Sequence, residues 1–199
     1  MEIIALLITF VGLSWQVDYV SELGVYGILK TDPLPLLSLS VSDLPVDKKQ
    51  TFKSYELPAL KSPPSVGVQN ETGLIYAILA FDPDYSSENK IKDSIYVTWL
   101  MTNVENGFQQ IGRECIPYMN PNPPLNTGVH RIIYAVFKQQ EKVNCKPIFP
   151  AFTGSNKERA GRSIDELKSM YNLTGPLMAN AYEIDTNAEE LPHRLYDEF

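Results

Sequence analysis

The chain has 199 residues, 44% of them hydrophobic and 21% charged, a balance that suits one globular domain with a sizeable core. Its net charge of −7, with no Lys/Arg run, excludes the basic face that displaces counterions from nucleic acid and gives no charge-driven adsorption to anionic membranes. Fifteen prolines among many Val, Ile, Tyr and Thr residues point to β structure with ordered loops.

Residues 1–13 (M-E-I-I-A-L-L-I-T-F-V-G-L) form an apolar run of signal-peptide length, too short to span a bilayer. Gly12 and Ser14 supply small residues for a cut after Ser14, although Glu2 stands where a basic residue is usual. The expectation is a leader over 1–14 and a single domain over 15–199, exported from the cell. A buried N-terminal strand is the alternative. Two sequons, Asn70-Glu71-Thr72 and Asn172-Leu173-Thr174, agree with export and mark Asn70 and Asn172 as glycan acceptors.

Residues 15–33 are poorly patterned, with one short helical turn expected around 20–23. Strands are expected over 36–41 and 51–57, a turn at Lys61-Ser62-Pro63-Pro64, and a strand over 65–68. Residues 74–81 (L-I-Y-A-I-L-A-F) are a continuous apolar run and read as a strand buried on both faces. The run ends on Asp82-Pro83-Asp84, carboxylates that cap a loop, bind an ion or face a pocket. Residues 94–103 are the next strand.

Pro121, Pro123 and Pro124 remove amide donors and hold their segment extended, and Asn126 and Gly128 permit the turn after it. Residues 130–138 then read as a central strand. Period-2 geometry puts His130, Ile132, Tyr134 and Val136 on one face and Arg131, Ile133, Ala135 and Phe137 on the other. A His–Arg pair beside a rigid loop at a strand mouth makes an anion pocket. Cys115 and Cys145 flank this unit. In an exported chain they read as one disulfide, the alternative being two reduced thiols, and a zinc site is not expected.

Ser163-Ile164-Asp165-Glu166 is a capping box, and Ile164, Leu167, Met170 and Tyr171 share one helical stripe that Gly175-Pro176 closes. A strand over 178–184 and a terminal helix over 189–199 complete the chain. The expected class is mainly β with peripheral helices. There is no P-loop, G-x-G-x-x-G or G-x-S-x-G elbow, so neither a cofactor nor an enzymatic activity is expected.

The P-P-x-x-x-G-x-H-R segment, with Asp82-Pro83-Asp84-Tyr85-Ser86-Ser87 upstream, resembles the phosphatidylethanolamine-binding protein family, which includes the Raf-kinase-inhibitor-like proteins. The resemblance runs from about residue 36 to the C-terminus. It implies a large antiparallel sheet packed on a smaller one, with a C-terminal helix near a pocket for the phosphate of a lipid headgroup. The matching residues are Asp82, His130, Pro124 and the terminal Tyr196, with His130 as donor to the anion and Arg131 holding the fold. Other pocket positions differ. A family His falls on Thr98, a loop Gly on Asn122, a Tyr on Ile132 and a Pro on Ser86. Two lost donors, each worth roughly 1.5–3 kcal/mol, weaken phosphate binding, while Thr98 and Asn122 offer neutral contacts. The expected function is an exported protein holding a small anionic or amphipathic ligand, with peripheral contact to membrane lipid. The alternative is an interaction module, such as a serine protease inhibitor or signalling regulator, that meets a protease or receptor.

Overall fold

The structure is a computed structural model that describes residues 18–68, 73–85, 93–105, 109, 112–145 and 159–187. The leader over 1–14, Asn70, and the terminal helix with Tyr196 lie outside the described residues.

The short strands come first: β1 (Ser38–Val41), β2 (Leu44–Pro45), β3 (Thr51–Lys53) and β4 (Ser65–Gly67). The long ones follow: β5 (Ile75–Asp82), β6 (Tyr96–Glu105), β7 (Arg113–Ile116), β8 (Val129–Gln139) and β9 (Leu173–Asp185). A six-stranded sheet runs β3-β9-β8-β5-β6-β7, and a three-stranded sheet runs β2-β1-β4. The larger sheet is antiparallel except at its edge, where β3 lies parallel to β9.

Alternation along the central strands builds a core on each face of the large sheet. Ile132, Tyr134 and Val136 of β8 join Ile78, Trp99 and Tyr182 on the face covered by the small sheet through Leu39, Val41 and Val66. Ile133, Ala135 and Phe137 join Leu79, Phe81 and Val97 on the opposite face. That face is covered by α1 (Tyr19–Glu22), α2 (Val25–Leu29) and α3 (Ile164–Tyr171) through Val20, Leu23, Leu29, Leu167 and Tyr171. Each fully buried large apolar side chain contributes about 1.5–3 kcal/mol, which is why β5 and β8 carry apolar residues on both faces.

The helices differ from expectation in chain position and in how they stop. Two turns, not one, precede the first strand. Asp18 accepts from Ser21 N (3.2 Å) to start α1. Gly24 in the left-handed region separates α1 from α2, and Lys30 in the same region ends α2. Four- and five-residue helices are too short to display a stripe. The strand expected over 51–57 stops at Lys53, where Glu56 accepts from the Lys53 amide (2.7 Å) and a 3-10 helix runs over Ser54–Leu60. In α3 the capping box forms, with Glu166 N donating to Ser163 Oγ (3.1 Å). Asn172, left-handed with its amide on Lys168 O, closes that helix, and Gly175-Pro176 lies inside β9 instead.

Cys115 and Cys145 are disulfide-bonded, with Cα atoms 5.2 Å apart. The bond closes a loop over a sequence separation of 30 that contains the proline segment and β8. Restricting the unfolded chain this way contributes about 3–4 kcal/mol.

Candidate functional site

The site begins where β5 ends beside the start of β8, with Phe81 opposite Ile133. Pro83 cannot extend the ladder, and the chain turns there as Asp84 N donates to Asp82 Oδ1 (2.7 Å). Asp82 and Asp84 then meet two adjacent residues of β8. Asp82 Oδ2 accepts from His130 Nδ1 (2.8 Å), with both residues buried. Asp84 takes Arg131 in a fork, Nε to Oδ2 at 2.7 Å and Nη2 to Oδ1 at 2.6 Å. Arg131 also donates to Leu23 O at the end of α1 (2.9 Å), so this pair ties the sheet to its helical cover. Burial resists ionisation of Asp84, but the side-chain and backbone hydrogen bonds from Arg131 outweigh it and hold the carboxyl below its ordinary value.

On the other side of the strand end lies a cavity of about 440 Å³. The proline loop forms one wall through Met119, Asn120, Pro121, Asn122, Pro123 and Pro124. Leu57 and Pro58 of the 3-10 helix, with Lys61 beyond it, form the second. Asp82, Tyr85, Tyr96, Thr98 and Ile132 of the sheet side close the remainder. The loop is pinned along its length. Tyr118 Oη donates to Leu60 O (2.6 Å), Met119 N to Thr98 O (2.9 Å), Thr127 Oγ1 to Pro124 O (2.6 Å) and Asn126 N to Thr186 O (2.9 Å). The rings of Tyr85 and Tyr96 stack with centroids 4.3 Å apart.

Of the residues singled out in the sequence, Asp82, Thr98, Asn122 and Pro124 line this cavity. His130 stands behind Asp82 and is only 1% exposed. Its ring is fully engaged: Nδ1 on Asp82 and Nε2 on Thr127 Oγ1 (2.7 Å). The expected donor to an anion therefore has no nitrogen turned to the cavity. A carboxylate only accepts, so Nδ1 carries a hydrogen, and the couple fixes the ring.

Sequence reasoning missed Tyr85, Tyr96, Asn120, Lys61 and Arg159. The two tyrosines were visible as polar aromatics at strand ends. Arg159 gave no signal, because its partners are carbonyls. It is buried and donates to Val97 O and Thr98 O (3.1 Å each) and to Pro117 O (2.9 Å) beneath the proline loop. Two residues of the cavity wall each bury a side-chain oxygen, Thr98 Oγ1 and Asn120 Oδ1, that has no hydrogen-bond partner among the described residues. Among the described residues no cluster of three or more His, Cys, Asp or Glu could hold a metal ion, and no helix is long and apolar enough to cross a membrane.

The family model of the phosphatidylethanolamine-binding proteins matches residues 46–168, more than half of the chain, and the chain belongs to that family. A 26 kDa secreted antigen of Toxocara canis is 25% identical over 107 residues, which are 54% of this chain and 40% of that relative. The chain therefore spans less than half the length of this curated relative. Among solved structures, a carboxypeptidase Y inhibitor complexed with its cognate proteinase superimposes with a TM-score of 0.62 at 16% identity, covering 85% of this chain and 94% of the inhibitor chain. A phosphatidylethanolamine-binding protein from Plasmodium vivax gives 0.61 at 17% identity, covering 83% and 95%. At these identities the likeness is one of fold.

Proposed function

We propose that this chain is an exported binding protein that holds a small amphipathic ligand in the cavity between the proline loop and the end of β5. The observation that carries the reading is the cavity itself. Its volume of about 440 Å³ falls within the roughly 300–1,000 Å³ of small-molecule sites, and its wall is mostly apolar with a few polar groups, as such sites are. A loop pinned at several points needs little ordering on binding, which favours affinity. Of the two ligand types considered, the amphipathic one is better served than the anionic one, because the His130 ring is occupied by Asp82 and Thr127. Contact with a lipid headgroup at a membrane surface fits the same cavity. Export is supported by the secreted relative and by the disulfide. It is also supported by Asn172, which is exposed at the end of α3 where a glycan has room. We place the leader at 1–14 and the binding domain at 15–199.

The test is native mass spectrometry of the protein recovered from culture medium. A co-purified small molecule is expected on the wild type and absent from Asn120→Trp, which fills the cavity. Equal, ligand-free spectra of both proteins at native ligand supply contradict the reading.

A second reading, an interaction module such as a serine protease inhibitor or signalling regulator, draws on one surface feature. Leu125 is 67% exposed at the tip of the pinned loop, and a related fold has been captured with a proteinase. Leu125→Asp separates the two: it abolishes protein capture under the second reading and leaves the co-purified ligand in place under the first.

A further inference from the structure

We infer that the amphipathic ligand carries one apolar chain, and that this chain lies in a groove on the helical face of the large sheet while the polar end stays in the cavity. The inference rests on the cavity being a ligand site and says where the rest of that ligand goes.

The groove has a volume of about 780 Å³ and is walled by α2, the residues that lead into β6 and the start of α3. It lies back to back with the cavity at one end of the large sheet. Alternation along the strands makes it so: Ile95 and Arg131 line the groove, and the residues that follow them, Tyr96 and Ile132, line the cavity. The two spaces meet at the turn after β5. Asp82 lines the cavity, Pro83 lines the groove, and Tyr85 lines both. A chain that leaves the cavity past Tyr85 enters the groove.

The groove suits a chain better than an ion. Leu29 and Ile95 line it from the buried core. Ile28 of α2 and Ile164 of α3 line it while only partly buried, which leaves apolar surface for an occupant to cover. Its charges, counted on both sides, cancel. Asp84 takes Arg131 in the fork already described, and Lys30 stands 3.1 Å from Asp93 and 4.0 Å from Asp165. Lys168 follows Asp165 by one turn of α3. Arg131, Lys30 and Lys168 are thus matched one for one by Asp84, Asp93 and Asp165, so no net charge draws an anion or a cation to this face. The walls are set before binding. Ile95 N donates to Arg162 O (2.8 Å), joining the approach to β6 to that of α3, and Lys30–Asp93 joins the same approach to the end of α2. Gly27 of α2 also lines the groove, and a Cβ placed there meets nothing within 4 Å, so the space beside it is open.

The experiment titrates the full chain with butyl, hexyl, octyl and decyl phosphoethanolamine, each below its micelle-forming concentration. Affinity is measured by calorimetry, and the methyl signals of Ile28, Ile95 and Ile164 are followed by NMR. In the wild type each added methylene is expected to tighten binding by up to about fourfold, the worth of burying it. The octyl and decyl probes are expected to shift those methyls, and the butyl probe to leave them in place. Gly27→Trp fills the groove from the position with open space beside it, and the gain with chain length is expected to disappear. An equal gain in the wild type and in Gly27→Trp, or no gain in the wild type, overturns the inference while leaving the ligand-site reading intact. The methyl signals are read on the wild type, so they test the inference even where a variant does not fold: octyl phosphoethanolamine that binds without shifting them overturns it. Equal shifts in Asn120→Trp, whose cavity is filled, overturn it too, because the chain then binds by itself. If no probe of any length binds the wild type, the ligand-site reading fails as well.

Discussion

Two acid–base couples sit side by side at the junction of β5 and β8, and they behave as opposites. Asp82–His130 is sealed, with side chains 4% and 2% exposed, and forms the back of the cavity. Asp84–Arg131 is open, with side chains 25% and 29% exposed, and clamps the sheet to α1 on the other face. Adjacent residues reach opposite faces because a strand alternates, and the turn at Pro83 lets the two acids follow them. The comparison shows that one short motif builds a cavity wall on one side and holds the fold together on the other.

The largest expected effect breaks the sealed couple. His130→Ala leaves the Asp82 carboxylate buried without its partner, and a loss of about 3–5 kcal/mol is expected in urea unfolding. A loss below roughly 1 kcal/mol would put the couple on a par with surface pairs. Next comes the bond that encloses both couples' strand. Cys115→Ser with Cys145→Ser is expected to lower stability by about 3–4 kcal/mol, from loop closure alone. Unchanged unfolding midpoints contradict that.

The open couple gives a smaller and pH-dependent effect. The folded Asp84 carboxyl titrates below its ordinary value, so its stabilisation is present above the unfolded pKa near 4 and is lost as pH falls through the folded value. The stability difference between wild type and Asp84→Asn is therefore expected to be about 1–2 kcal/mol at pH 7 and to shrink steadily below pH 4. A difference independent of pH removes the ion pair from the account. The smallest effect compares the two cores. Burial pushes Tyr19, on the helix side, and Tyr118, on the inter-sheet side, up to about 12. Both are expected to ionise above the ordinary tyrosine value near 10 in an ultraviolet titration, with stability declining from about pH 10 upward. Ionisation of all tyrosines together near pH 10 contradicts the burial of both.

Much of this was legible in the sequence for a physical reason. β5 and β8 announce themselves because a strand buried on both faces must be apolar at every position, and the capping box at Ser163 because it is a local hydrogen-bond pattern. The placement of Asp82, Thr98, Asn122 and Pro124 around one space followed from the family resemblance. What stayed hidden depends on contacts between distant segments. Thr127 reads as an ordinary turn residue, yet it occupies the second nitrogen of His130 and so changes what that residue can do. Arg159 and Asn120 act through backbone carbonyls of Val97, Thr98, Pro117 and Leu57, which no side-chain pattern encodes. α1 and α2 are too short for periodicity, and β3 is cut short by a local bond to Glu56.

The central claim is that the His130 ring is an internal brace of the cavity, engaged on both nitrogens by Asp82 and Thr127. The most direct measurement is the ¹⁵N–¹H correlation of the imidazole during a titration with inorganic phosphate. The account expects a hydrogen on Nδ1 held by Asp82 and ring signals that phosphate leaves in place. A large displacement of the Nε2 signal by phosphate, with loss of the Thr127 hydrogen bond, would contradict it.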